Sequence, residues 1–176
     1  MHVMDAVAVH GPDWGFACAL VVQLLIVAWR DFRRFTISNC ACLLLLATVA
    51  LAVLWGLLGP PVLGFGLSSV WVAALYFAVV FPLWLWGKFG GGDVKFMAVC
   101  GAIAGPSYGG PFVLVASVLC LVTVACMLLV RSWPTRLPAR PEGLWHTYRT
   151  TRHLPLGVPL GLASIAIVVV RVLAPS

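Results

Sequence analysis

The chain has 176 residues, of which 62% are hydrophobic and 9% charged, with 11 Lys or Arg against 5 Asp or Glu. An average soluble domain carries about 25% charged residues, and one of this size exposes too much surface to hide so much apolar area. Composition therefore excludes an ordinary soluble enzyme, a disordered chain and a nucleic-acid-binding module. The net charge of +6 reflects a shortage of acid more than a wealth of base. The solvent for most of the chain is lipid.

A spanning helix needs about 20 mostly apolar residues. The hydropathy pattern predicts an all-α, polytopic membrane protein: a single membrane-embedded domain over residues 1–176 with six spans, at 14–29, 39–58, 67–86, 94–108, 112–130 and 154–173. The first closes on Arg30-Asp31-Phe32-Arg33-Arg34, and the second on Gly59-Pro60-Pro61. After the third come Lys88 and the glycines Gly90, Gly91 and Gly92. The fourth is short: residues 94–104 make about 16 Å of helix at 1.5 Å each. Either it runs on through Tyr108, or it starts below the membrane surface and takes Asp93 to some depth. Residues 131–153 form a polar connection rich in Pro and Arg.

Residues 1–13 hold no Lys or Arg, so they do not read as a secretory signal, and the first helix is expected to stay attached. The basic residues fix an orientation. Arg30, Arg33, Arg34, Lys88, Lys95, Arg131, Arg136, Arg140, Arg149 and Arg152 all fall on one face of a six-span topology, leaving only Arg171 elsewhere. The positive-inside rule makes that face cytoplasmic and puts both termini outside. Anionic lipid headgroups suit such a face. Cys18, Cys100, Cys120 and Cys126 sit inside apolar runs, and no C-x-x-C pair occurs; buried free thiols are the plain reading.

An ionisable residue close to the membrane is a functional candidate, and the carboxylates are few. Asp5 and Asp13 fall in the external tail, and Glu142 in the polar connection. Asp31 and Asp93 remain, on one face at similar depth. Two carboxylates within reach of each other share a proton. One can then act as base toward a water and the other as acid toward a carbonyl, as in aspartic proteases. Plainer roles are open to both: Asp31 as a helix exit balanced by Arg30, Arg33 or Arg34, and Asp93 as a helix N-cap.

The segment Asp31-Phe32-Arg33-Arg34-Phe35-Thr36-Ile37-Ser38-Asn39 resembles the region after the first catalytic aspartate of bacterial type IV prepilin peptidases. Gly90-Gly91-Gly92-Asp93-Val94-Lys95-Phe96 resembles that family's G-x-G-D motif, and Leu154-Pro155-Leu156-Gly157-Val158-Pro159-Leu160 its entry to the last helix. The likeness covers roughly residues 14–173. It implies a membrane aspartic endopeptidase that cuts basic leaders from prepilins at the cytoplasmic face of the bacterial inner membrane. Asp31 and Asp93 would be the catalytic pair, and Gly90 and Gly92 the motif glycines. Lys95, Asn39, Arg33 and Arg34 match family positions, and Lys95 could orient Asp93. No metal or cofactor is implied; the partners are the prepilin helix with its leader, and lipid.

Full-length members of that family carry a preceding domain with paired C-x-x-C motifs and also methylate the new N-terminus. Nothing here matches that domain, so the likeness is to the short form of tight-adherence (Flp) pilus systems, and methyltransferase activity is not expected. Other readings are an intramembrane aspartyl protease with different substrates, a small ion or proton transporter, and a non-catalytic assembly subunit.

Overall fold

A computed structural model describes residues 2–59, 61–87, 89–132 and 155–173, without the side chains of residues 2–12 and Arg131. Expectations for Lys88, for Glu142, Arg136, Arg140, Arg149 and Arg152, and for the side chains of Asp5 and Arg131 lie outside the described residues.

The described residues form five helices and no strand: α1 (His2–Arg34), α2 (Asn39–Leu58), α3 (Leu67–Leu85), α4 (Gly91–Ser132) and α5 (Gly157–Leu173). In lipid, each backbone N–H and C=O must be satisfied within the protein, and a helix does this by itself. Four helical stretches, Asp13–Arg34, Asn39–Leu58, Leu67–Leu85 and Gly91–Val130, are long and apolar enough to cross a bilayer; α5 is apolar but has 17 residues.

Two boundaries differ from expectation. Helix α1 starts at His2, so residues 2–13 extend the first helix rather than forming a tail. The fourth and fifth expected spans form one helical element, α4, bent at Gly105 (φ 60°, ψ −173°). Only glycine adopts that conformation readily, and Pro106 next to it has no N–H to continue the ladder. A Cβ on Gly105 would sit 2.6 Å from Arg171 Nη2, so glycine is required twice over. The bend lets both arms of α4 meet one side chain of α3. Tyr76 packs against Gly101 before the bend, donates to the Gly109 carbonyl after it at 3.0 Å, and meets the Phe112 ring at 5.9 Å.

The core lies where α1, α4 and α5 meet. Helix α1 turns Leu20, Leu24, Val27 and Asp31 inward, residues that fall on one face at 3.6 per turn. Helix α5 opposes them with Leu160, Ala163, Ile167 and Val168. Gly161 lets the two helices close up: a Cβ there would touch Ala28 at 3.4 Å and the Leu24 carbonyl at 3.5 Å. Small residues allow such close packing where no hydrophobic force drives helices together. Deep between α1 and α2, Gln23 and Thr48 bond side chain to side chain at 2.9 Å.

At the end of the bundle remote from Asp31, Arg171 gathers three elements. Its guanidinium is buried; it donates to the Leu63 carbonyl in the α2–α3 loop and to the Ala104 carbonyl at the α4 bend, the latter at 2.9 Å. It also lies over the Phe65 and Tyr108 rings at 5.0 and 5.1 Å. Asp13 accepts the Leu63 N–H at 2.6 Å, so this acid is a tether for the same loop and not a free tail residue. Replacing Arg171 with Met should orphan two buried carbonyls while removing the cost of a buried charge. The net loss of stability should be about 1–3 kcal/mol, measured by denaturant unfolding in micelles.

Candidate active site

Asp31 and Asp93 lie at one end of the bundle, in the last turn of α1 and the first turn of α4. Asp31 occupies the last turn of α1 and is 3% exposed. Its helix ends at Phe35, which adopts the left-handed conformation (φ 51°) and donates its N–H to the Asp31 carbonyl at 2.8 Å. Such a residue closes a helix C-terminus, and a Phe there carries local strain. The chain then turns through residues 36–38 and enters α2.

Asp93 is half-buried in the first turn of α4. The carboxylates of Asp31 and Asp93 are close enough to interact electrostatically. Each motif glycine has a steric reason. A Cβ on Gly90 would sit 2.8 Å from Asp93 Oδ2, so the bare backbone leaves room for that carboxylate. A Cβ on Gly92 would sit 2.8 Å from the Ile37 carbonyl. The loop that follows Asp31 thus rests directly on the turn that carries Asp93. Cys42 Sγ approaches the Gly92 carbonyl from α2 at 4.0 Å.

Lys95 and Asn39 form a second tie. Lys95 Nζ donates to Asn39 Oδ1 at 3.0 Å, joining the first turns of α4 and α2. Lys95 therefore has a partner in Asn39. Arg33 and Arg34 are not part of this cluster. Both are exposed, and Arg33 lies over the Trp29 ring at 4.6 Å on the outer side of α1.

One site residue escaped the sequence reading. Gly157, the first residue of α5, donates its N–H to Asp31 Oδ2 at 2.7 Å. The first N–H groups of a helix have no partner inside it; Asp31 supplies one from 126 positions away. A Cβ on Gly157 would lie 2.9 Å from both Cβ and Oδ2 of Asp31. The available signal was a glycine at the start of an apolar helix, where Ser or Asp would be the usual cap.

A family model described as the type IV leader peptidase family matches residues 18–125. The chain belongs to that family. The matched stretch includes Asp31, Asn39, Gly90, Gly92, Asp93 and Lys95, and it stops short of Gly157. No curated protein and no solved structure matches the chain. Family membership makes the chain a peptidase of the type that processes prepilins, and the helices make it a membrane protein.

The contacts around Gly157 and Lys95 give opposite expectations for two substitutions. Gly157→Ala should push the Asp31 carboxylate aside. Since about 1 Å of misplacement can cost about 100-fold in rate, prepilin cleavage should fall by about that factor, read by single-turnover cleavage of a purified prepilin. Lys95→Met breaks an exposed tie and should change stability by less than about 1 kcal/mol, read by thermal unfolding.

Proposed function

We propose that the chain is an aspartic endopeptidase that cleaves the basic leader from type IV, Flp-like prepilins at the cytoplasmic face of the inner membrane. The observation that supports this reading is the placement of Asp31 and Asp93 at one end of the bundle. Two carboxylates, from the end of α1 and the start of α4, interact at one end of an apolar bundle, in a chain of a leader peptidase family.

Two carboxylates brought within hydrogen-bonding reach cannot both ionise easily, and such a pair would hold one proton between them. The ionised member takes a proton from water as the water attacks the scissile carbonyl. The protonated member gives its proton to the carbonyl oxygen, which makes a gem-diol; as this collapses, the member that took water's proton passes it to the leaving amine and the other recovers its proton from the diol hydroxyl. No covalent intermediate forms. The Gly157 N–H holds Asp31 in one orientation. Gly90 leaves room for the Asp93 carboxylate, and Gly92 lets the loop after Asp31 rest against the turn that carries Asp93.

The prepilin helix would lie in the bilayer beside the enzyme, with its leader junction at the level of the pair. A basic leader would meet repulsion from a face rich in arginine. Arg33 is drawn off to Trp29 on the outside of α1, which eases that conflict. Orientation with the pair facing the cytoplasm follows from the distribution of Lys and Arg. Asp31 and Asp93 lie at one end of the bundle, whereas an ion carrier would be expected to hold its carboxylates near the middle of the spans.

Asp31→Asn and Asp93→Asn each remove the shared proton's partner without changing side-chain size. Either change should abolish the mobility shift of a co-expressed prepilin on a gel while the variant protein still accumulates in the membrane. Normal processing by either variant would overturn the assignment.

A further inference from the structure

We infer that the outer face of α1 holds one anionic phospholipid, with its phosphate among Arg30, Arg33 and Arg34 and its acyl chain along the helix. A recess of about 420 Å³ opens at the end of α1, and Trp29, Arg30, Arg33 and Arg34 line it. Among the described residues, three cations border it and no carboxylate does. Arg30 and Arg34 have no ion-pair partner among the described residues. Side by side, three guanidinium groups repel one another, and an anion between them relieves this. The planar guanidinium suits a phosphate, which it can grip with two parallel bonds.

Cations in a last helical turn also complement the helix dipole, and that alone would leave them swinging freely in solvent. Here the position is fixed. Arg33 is held over the Trp29 ring at 4.6 Å, and Trp29 stacks with Phe32 at 6.3 Å. The recess is thus shaped before any ligand arrives.

The surface below the recess says which phosphate compound fits. Val22, Ile26 and Trp29 are each at least half exposed. At about 100° per residue, they fall in one stripe with Arg33. That stripe runs along α1 opposite the inward face of Leu20, Leu24, Val27 and Asp31. It is an apolar track that ends in an indole and a cationic pocket, which is the profile of an amphiphile: acyl chain, interface, phosphate. A free phosphate would have no use for the track. A Trp at such a boundary sits at headgroup level in membranes.

The site shares a helical turn with Asp31 but faces away from it, so its occupancy can be measured without substrate. Success or failure here is independent of the peptidase assignment. The full chain, purified in micelles, would be titrated with phosphatidylglycerol and, separately, with phosphatidylcholine, and bound lipid counted by native mass spectrometry. Phosphatidylglycerol should be retained and phosphatidylcholine largely lost. Each arginine removed should weaken retention about fivefold, so the Arg30→Gln, Arg33→Gln, Arg34→Gln triple variant should lose about 100-fold. Arg33→Gln alone, an exposed change, should lose about fivefold and serves if the triple variant does not fold. Equal retention of the two lipids would overturn the proposal, as would unchanged retention by the variants. Displacement of phosphatidylglycerol by millimolar inorganic phosphate, or by an acidic peptide, would equally overturn it by marking the recess as a site for a different anion.

Discussion

The hydrogen bond from Gly157 to Asp31 is the contact on which the arrangement of the site rests. It joins the first helix to the last, and it meets two needs with one interaction. Helix α5 begins with a buried N–H, and Asp31 has a buried carboxylate, so each needs a partner within the protein. A hydrogen bond to a charged group contributes about 1.5–3 kcal/mol, and either group left alone would cost a comparable amount. Only a glycine can stand there, because the carboxylate lies where a side chain would be.

Helix α5, the shortest of the five, is therefore fastened at both ends by polar contacts. Its start caps on Asp31, and its last turn carries Arg171 into the α2–α3 loop and the α4 bend. Between these fastenings it presents small and branched apolar residues to α1 and α4. Lipid gives neighbouring helices little hydrophobic reason to associate. Polar groups at the two ends and close small-residue packing between them set the helices' positions instead. That placement brings the last turn of α1, with Asp31, and the first turn of α4, with Asp93, to one end of the bundle.

The helical class was legible in the sequence because hydropathy is a local property. The two candidate carboxylates stood out for a different reason: with so few acids, two on one face are conspicuous. The role of Gly90 and Gly92 could be named but not explained, since the atoms they make room for, Asp93 Oδ2 and the Ile37 carbonyl, are set by tertiary contacts. Arg171 read as a stray cation and Asp13 as a tail acid because their shared partner, Leu63, is a backbone position with no mark in the sequence. Arg33 and Arg34 adjoin Asp31 in sequence, but one turn of helix points them elsewhere. The bend at Gly105 was visible as Gly-Pro, although the continuity of α4 across it was not.

That bend makes the first arm of α4 a lever. Asp93 rides near one tip, and Gly105, about 18 Å away at 1.5 Å per residue, is the pivot. A swing of only about 5° at the pivot would carry the carboxylate about 1.5 Å. Arg171 grips the Ala104 carbonyl beside the pivot, so a contact at one end of the bundle bears on where a carboxylate sits at the other.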